Sequence, residues 1–276
     1  LGIVSRVVAS RGQLPVLANV LIEATKSGIS LAATNLEIGL RVEVGGKVDD
    51  EGAITIPAKD LNEFVNSLSG NIKMTSDGDK LKIEDLESRG NFAGISASEF
   101  PPLPKTEEMG KKKGGVKIAK KIILEVAKQV AYAAAVDESR PVLTGVKFSV
   151  ISDQLSVVAT DGFRLARKIL NAQSSMLNDD LILPARTIME LARVVEEQKD
   201  EEVEMTTIKQ NNQVIFKCGN VEVISRVLEG NFPDTEKIIP RDFKTQVTLD
   251  RLVWIKTLIT AGIFARDNSN IVKFTI

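Results

Sequence analysis

The sequence predicts an α+β protein built from tandem repeats, each with two helices packed on an antiparallel sheet. Three observations lead to this prediction. The chain of 276 residues is similar to itself at a fixed spacing of 126 positions. Each repeat carries helical and alternating apolar patterns in the same order, and polar turn residues separate these patterns.

The internal similarity needs no gap over its strongest stretch. A shift of 126 positions places Leu14–Asn35 on Arg140–Asp161, with seven identities in 22 positions. This number of identities indicates duplication. The identical pairs are Pro15/Pro141, Val16/Val142, Leu17/Leu143, Val20/Val146, Ser30/Ser156, Ala33/Ala159 and Thr34/Thr160, and the later matches are Ile56–Lys59 with Leu183–Arg186 and Phe100–Pro101 with Phe232–Pro233.

A third copy begins near the end of the chain. The same shift places Leu249–Ile276 on Ile123–Val150 and aligns Val272–Phe274 with Val146–Phe148. We therefore expect the chain to stop early in a third repeat.

Repeat two shows the predicted order of elements best. Lys117–Ala135 has an apolar stripe at helical spacing and predicts the first helix. A second helix is predicted from Pro184, because proline suits the first turn of a helix. The predicted strands are Val142–Val150, Leu155–Ala159, Val203–Ile208, Gln213–Lys217 and Val221–Leu228, with turns at Ser152–Gln154 and Asn211–Asn212.

Repeat one carries the same elements and defines the predicted domains. Its second helix is predicted at Pro57–Leu68, and Asp77-Gly78 predicts a hairpin turn. Lys105–Gly115 is polar and glycine-ended, which predicts a linker. The predicted domains are 1–104 with its N-terminal part missing, 116–240 after the linker 105–115, and 241–276 as the truncated start of a third.

Composition bounds the possible functions. Apolar residues make up 43 % and charged residues 26 %, as in ordinary globular proteins, and no apolar run is long enough to span a bilayer. The single cysteine, Cys218, excludes an intrachain disulfide framework and fits a reducing compartment. With a net charge of −1 and no histidine, any DNA role must depend on a local basic surface or on topology.

Catalytic residues are scarce. No nucleophile–base pair can be proposed without histidine. The acidic clusters Asp49–Glu51 and Asp200–Glu202 could hold Mg²⁺ in a metal-dependent nuclease. Both lie in predicted turns, where solvated charge is the ordinary interpretation. An enzyme is therefore the alternative, and no cofactor is expected.

Basic residues recur at equivalent places on the predicted helices. Lys59 and Arg186 begin the second helices of the two repeats, and Arg11 follows the first helix of repeat one. Any single cation is explained by solubility. Their repeated placement favours a positive surface that contacts phosphates without reading bases. The first helix of repeat two adds Lys117, Lys120 and Lys128.

The segment Thr160–Leu165 follows a predicted buried strand. Asp161-Gly162 predicts a tight turn, after which Phe163 and Leu165 present apolar side chains. Spacing alone favours a plain β-turn with core side chains.

Seven runs of residues carry a resemblance to a known family. They are RGQLPVLANVLIEA, LAATNLEIGL, IPAKDLNEFV, SRPVLTGVKF, VVATDGFRLA, LPARTIMELARVV and EGNFPDTEKIIP. The chain resembles the bacterial DNA polymerase III beta subunits, the sliding clamps, over essentially its whole length. The most specific of the runs is T-D-G-x-R-L-A after the strand V-V-A.

The resemblance implies a DNA clamp fold with three similar domains per subunit and a head-to-tail homodimer that closes a ring. Helices would line the hole and sheets would form the outside. It implies a non-catalytic accessory subunit of the DNA polymerase III holoenzyme in the bacterial cytoplasm, associated with the nucleoid. The implied partners are double-stranded DNA bound without sequence preference, the DNA polymerase III alpha subunit, the clamp loader and other proteins with clamp-binding motifs, and no membrane.

The resemblance also implies site residues. Arg11, Lys59 and Arg186 match positions that face DNA, and Arg140 lies near another. Phe163 stands where many members carry histidine. The implied peptide-binding pocket between domains two and three contains Leu143, Thr160, Gly162, Phe163, Arg164, Leu165, Pro240 and Val247, and the implied dimer contact contains Phe100, Ile263 and Phe264.

The chain departs from the family by lacking most of domain three. We therefore expect it, as given, neither to close a ring nor to present a complete pocket. A peptide-binding scaffold without a DNA role is a further alternative, which charge reversal at Lys59 and Arg186 would test.

Overall fold

The computed structural model describes residues 1–9, 14–105, 115–151, 154–171, 180–208, 211–240 and 242–275. They divide into two units, Leu1–Phe232 and Pro233–Ile276. The first unit contains repeat one and repeat two as far as Phe232. Residues 106–114, most of the predicted linker, lie outside the described residues, and the predicted domain boundaries remain a prediction.

Repeat one forms a single α-helix and eight strands within its described residues. The helix is α1 (Ala58–Ser67), and the strands are β1 (Asn19–Thr25), β2 (Gly28–Thr34), β3 (Ile38–Val44), β4 (Gly52–Pro57), β5 (Lys73–Asp77), β6 (Lys80–Glu84), β7 (Arg89–Ala93) and β8 (Ile95–Ser96). The hairpin predicted at Asp77-Gly78 is confirmed, since β5 pairs with β6 and Gly78 adopts φ 55°.

Repeat two follows the same plan with two α-helices in its described part. The helices are α2 (Lys120–Gln129) and α3 (Ala185–Glu197), and the strands are β9 (Val116–Ala119), β10 (Gly145–Ile151), β11 (Gln154–Thr160), β12 (Leu165–Leu170), β13 (Leu181–Pro184), β14 (Glu202–Ile208), β15 (Gln213–Cys218) and β16 (Val221–Arg226). The turn predicted at Asn211-Asn212 joins β14 to β15, whereas Ser152 and Asp153 lie outside the described residues.

One sheet runs through both repeats. Its nine strands follow the order β8-β4-β1-β2-β3-β16-β15-β14-β9, and the repeats meet where β3 pairs with β16. Smaller sheets have the orders β12-β11-β10-β13 and β5-β6-β7. All of the paired strands are antiparallel. Backbone hydrogen bonds therefore join the repeats directly, in addition to the covalent connection.

Helices α2 and α3 pack side by side on the core of repeat two. Ile123 and Val126 of α2 are buried in the same cluster as Ile188 and Leu191 of α3. Full burial of each such side chain is worth about 1.5–3 kcal/mol. The helical periodicity of the apolar residues therefore reflects contact with the sheet.

The prediction of one helix over Lys117–Ala135 is wrong at both ends. Val116–Ala119 forms β9, because its backbone groups pair with β14 between Met205 and Glu202. The α-helix ends at Gln129, and a short 3-10 turn covers Ala131–Ala133. A strand partner more than eighty residues away overrides the local helical pattern.

Other predicted elements also begin later than expected. The predicted strand Val142–Val150 starts with a 3-10 turn at Pro141–Thr144, and β10 begins at Gly145. The helix predicted from Pro184 begins at Ala185, since Pro184 ends β13 and has an extended ψ of 134°. Strand β12 is absent from the predicted elements.

The second unit contains α4 (Thr235–Ile238) and α5 (Arg251–Ala265). Asp250 caps α5 by accepting a hydrogen bond from the Val253 amide at 2.9 Å. Trp254 contacts Phe274 with ring centroids 4.9 Å apart. Of the helices in the described ranges, none combines the length and the apolar composition that crossing a bilayer requires.

Candidate peptide-binding and DNA-binding surfaces

The turn between β11 and β12 is held by two side chains. The Thr160 hydroxyl donates to the Arg164 carbonyl at 2.7 Å and accepts from the Gly162 amide at 3.1 Å. One carboxylate oxygen of Asp161 accepts from the amides of Phe163 and Arg164, both at 2.9 Å. Gly162 adopts φ 91°, a conformation that favours glycine. These contacts fix the backbone from which Phe163 projects.

Repeat one builds the same turn from equivalent residues. The Thr34 hydroxyl donates to the Ile38 carbonyl at 3.0 Å and accepts from the Leu36 amide at 3.0 Å. The Asn35 side-chain oxygen accepts from the amides of Glu37 and Ile38 at 3.0 and 2.8 Å. The central left-handed position is Leu36, with φ 75°. The duplicated threonine and the following Asx residue therefore encode one local structure twice.

Asp161 and Arg164 give the repeat-two turn its charge. Amide donation from Arg164 and Phe163 lowers the pKa of the Asp161 carboxyl, and the Arg164 guanidinium contributes. The Arg164 Nε lies 2.9 Å from the Asp161 carboxylate, and its guanidinium lies 5.9 Å from the centroid of the Tyr132 ring. The cation–π contact ties the turn to the segment after α2.

The predicted pocket residues differ in accessibility. Phe163 is fully exposed, Gly162 and Arg164 are exposed, and Leu165 is half-buried. The interpretation of Phe163 as a core side chain is therefore wrong, because the turn directs its ring into solvent. Leu143 and Thr160 are buried and are not surface contacts in this conformation. Pro240 and Val247 are exposed in the second unit.

Tyr132 is a candidate site residue that the sequence prediction missed. Its ring is 53 % exposed and lies beneath Arg164. The residue lies within the predicted first helix, but the sequence assigns it no role there. Tyr132 is the single tyrosine of the chain. That was the available signal for a site residue, since tyrosine is common at binding surfaces.

Two of the predicted DNA-binding lysines make internal contacts. Lys117 lies on strand β9, not on a helix, and its ammonium group lies 2.9 Å from the Glu202 carboxylate. Lys120 begins α2, and its ammonium group donates to the Gln198 carbonyl at the end of α3, at 2.8 Å. Lys120 therefore joins the two helices, and contact with a phosphate would compete with that bond.

The other predicted cations that are described are exposed. Lys59 lies in the first turn of α1, Lys128 in the last turn of α2 and Arg186 in the first turn of α3, while Arg140 precedes the 3-10 turn at Pro141. No described carboxylate lies within ion-pair distance of these four side chains. Arg11 lies outside the described residues.

The three α-helices in the described part of the first unit carry balanced charge overall. Helices α1, α2 and α3 have one, three and two cations, and two, one and three acidic residues. Three of the six cations, at positions 59, 128 and 186, are the exposed ones described above. Such a surface would hold phosphates weakly.

The residues predicted for the dimer contact also differ in how exposed they are. Phe100 is 7 % exposed and packs with Val16, Leu21 and Ala32 in a small core beneath β1 and β2. Its ring is therefore inside the first unit. Ile263 and Phe264 are exposed on α5.

The acidic clusters do not form a metal centre in the described part of the chain. Asp49 pairs with Lys47, and Glu202 pairs with Lys117. Across the described residues, no three side chains of the types His, Cys, Asp and Glu are placed to hold a metal ion. The geometry offers no support for a metal-dependent nuclease.

Comparison with known proteins places these features in a family. Residues 1–104 match the family model described as the DNA polymerase III beta subunit, N-terminal domain, and residues 117–234 match its central domain. The beta sliding clamp of Synechocystis sp. is 34 % identical over 306 aligned positions, which cover all of this chain and 75 % of the relative. That of Staphylococcus aureus is 27 % identical and covers 96 % of this chain and 71 % of the relative.

Solved structures agree. The DNA polymerase III subunit beta from Pseudomonas aeruginosa has a TM-score of 0.84 and 30 % identity, covering 95 % of this chain and 70 % of that one. The DNA polymerase sliding clamp from Bacillus subtilis has a TM-score of 0.84 and 25 % identity, covering 96 % and 70 %.

Proposed function

The chain belongs to the DNA polymerase III beta subunit family, and from this premise we propose how its residues perform the work of a DNA sliding clamp. A sliding clamp is a non-catalytic processivity factor that encircles duplex DNA and tethers a polymerase. In this chain the exposed cations of the helices contact phosphates, and the turn Thr160–Leu165 receives peptide motifs of the polymerase. The full subunit forms a head-to-tail homodimer, and its partners include the DNA polymerase III alpha subunit and the clamp loader in the bacterial cytoplasm.

The observation that supports this proposal most directly is the continuous sheet. Two similar domains are joined edge to edge by the β3–β16 ladder, with Val42 opposite Val221 and Ile38 opposite Ser225. A backbone ladder resists bending better than a flexible connection. Domains joined in this way suit a closed ring, in which topology replaces tight binding.

Weak cationic contacts fit sliding. A ring that moves along DNA must exchange phosphates easily, so a few exposed cations suffice. Non-specific protein–DNA affinities of about 10⁻⁴–10⁻⁶ M are typical of such contacts. The near-neutral helices described above are consistent with this requirement.

Neutralising Lys59, Lys128 and Arg186 together to glutamine should weaken the salt dependence of DNA binding. Each lost phosphate contact removes about 0.9 from the slope of log K against log salt, so three contacts remove about 2.7. The slope is measured by titrating fluorescent duplex DNA across a range of NaCl concentrations.

A matched triple variant serves as the control. Lys26, Lys73 and Lys80 are exposed in strands and turns of repeat one, and their change to glutamine should leave the slope within error. Equal slopes for the two triple variants would contradict the assignment of the helix cations.

Topological linkage to DNA is the central test of the function. The full natural chain is loaded on nicked circular DNA with its clamp loader and ATP. We expect it to be retained on the circle at high salt and to be released when the circle is linearised. Retention that ignores linearisation and follows only the salt concentration would mean binding by contact alone, and the ring proposal would then be abandoned.

A further inference from the structure

A groove of about 760 Å³ lies between the repeat-one turn Thr34–Ile38 and helix α3 of repeat two. It is separate from the turn Thr160–Leu165. Three of its apolar side chains are substantially exposed: Leu14 at 48 %, Leu36 at 43 % and Met189 at 42 %. Its volume is within the range of about 300–1,000 Å³ found for ligand sites.

Leu36 is held in this groove by an unfavourable backbone conformation. Its φ of 75° brings the Cβ of an L-residue close to the backbone, which is why glycine stands at the equivalent position in repeat two, Gly162. The hydrogen bonds of Thr34 and Asn35 impose this conformation. Strain of this kind is concentrated at functional sites, and here it presents an apolar side chain to solvent.

The groove is lined by more cations than carboxylates. Glu190 is buried, and its two carboxylate oxygens are engaged by Arg6 at 3.3 Å and by Arg193 at 3.2 Å. The Arg193 side chain is nevertheless 66 % exposed, so most of its donors face solvent.

Arg186 is the third guanidinium of the lining, and Glu37 is the second carboxylate. Burial raises the pKa of the Glu37 carboxyl, and the charge of Arg186 opposes that rise. Among the described residues, the lining has three guanidinium groups and two carboxylates, and Arg6 is also paired with Glu197. The exposed Arg193 guanidinium is therefore the group of the lining that can bind a further carboxylate.

We propose that this groove binds an extended peptide that carries a carboxylate beside two apolar side chains. The apolar side chains contact Leu36 and Met189, and the carboxylate contacts the exposed donors of Arg193. That the ligand is a peptide rests on the proposed peptide binding at the turn Thr160–Leu165. The turn Thr34–Ile38 beside the groove has the same hydrogen bonds as that turn. The apolar and cationic lining stands independently of that proposal.

The experiment selects peptides from a phage-displayed library of random decapeptides on the full natural chain without DNA. Affinities of the selected peptides are then measured by fluorescence anisotropy. Leu36→Gly removes the apolar side chain at a position where glycine is unstrained, and Arg193→Gln removes the charge with little change in length. The controls are Leu86→Gly, which removes a fully exposed leucine elsewhere, and Lys121→Gln, which removes an exposed cation from α2.

We expect one class of selected peptides to contain aspartate or glutamate beside two apolar residues. Leu36→Gly and Arg193→Gln should each weaken these peptides by about tenfold or more, and both controls should leave them unchanged. Thermal melting verifies that each variant is folded. Phe163→Ser should not change the affinity of these groove-binding peptides. Peptides that lose affinity only in Phe163→Ser bind at the turn Thr160–Leu165 instead.

Three results would overturn the proposal. The first is a selection in which no peptide loses affinity in Leu36→Gly and Arg193→Gln, whether or not other peptides lose affinity in Phe163→Ser. The second is a set of groove-dependent peptides that lacks acidic residues. The third is a concentration-dependent dimer that Leu36→Gly dissociates, because the occupant would then be a second copy of the chain.

Discussion

Replacing Arg41 with alanine should lower the free energy of unfolding of the first unit by about 3–5 kcal/mol. Arg41 lies on β3 and Glu222 lies directly opposite on β16. Their charged groups are 2.8 Å apart, and both side chains are more than nine-tenths buried. Removing the guanidinium takes away the cation that lies 2.8 Å from this buried carboxylate, at the strand pair that joins the two repeats.

The guanidinium of Arg41 also holds the end of repeat one. It donates to the carbonyl of Pro104 at 2.9 Å and to that of Leu103 at 3.0 Å. Alanine would leave these part-buried acceptors without that donor, and each lost hydrogen bond adds about 0.5–1.5 kcal/mol. Since whole domains have about 5–15 kcal/mol of stability, the loss is large.

Urea unfolding followed by far-ultraviolet circular dichroism measures the effect. The matched control is Arg89→Ala, which removes an exposed arginine 3.2 Å from Glu84 and should cost about 0–1 kcal/mol. The double variant Arg41→Met with Glu222→Leu should be less damaging than Arg41→Ala, because it leaves no buried charge. Equal small losses for Arg41→Ala and Arg89→Ala would contradict the importance of the buried pair.

Replacing Phe163 with serine should weaken binding of clamp-binding peptides by about thirtyfold or more, equivalent to about 2 kcal/mol, without a comparable loss of stability. The Phe163 ring is fully exposed on a turn fixed by Thr160 and Asp161, so it is already positioned for a partner. A rigid aromatic side chain loses little conformational freedom on binding. Its removal should change the free energy of unfolding by no more than about 0.5 kcal/mol.

Isothermal titration of the full natural chain with a peptide from its replicative polymerase tests this expectation. Leu86→Ser is the control, since Leu86 is equally exposed and lies in a different turn. Phe163→His keeps a ring at this position and should retain most of the affinity. Unchanged affinity in Phe163→Ser would remove the turn from the proposed peptide site.

Much of the local structure was predictable because short segments contain the information. Helices α1 and α3 follow apolar periodicity, and the hairpin at Asp77-Gly78 follows from a glycine that tolerates positive φ. The duplicated threonine turns lie where the repeat alignment places them. Each of these depends on residues close together in the chain.

The candidate sites were predictable only as chain positions. Lys120 has the sequence pattern of an exposed helix cation, yet it bonds to the end of α3. Phe100 matches a position of the family's dimer contact, yet it packs beneath β1 and β2. Arg41 lies between apolar residues of its strand, which is the pattern of an outward-facing side chain. It is nevertheless buried, because it pairs with Glu222 on β16. In each case the deciding contact comes from a distant segment.

By itself the sequence determined the α+β class, the tandem repeat, the family and the tight turn at Asp161-Gly162, because these depend on local residue patterns and on matching residues. Only the tertiary structure decided that Val116–Ala119 is a strand, that β3 and β16 join the repeats, and that the groove at Leu36 lies against α3 of the other repeat. The physical reason is that strand pairing and side-chain burial depend on which distant segments meet, and local periodicity does not specify those neighbours.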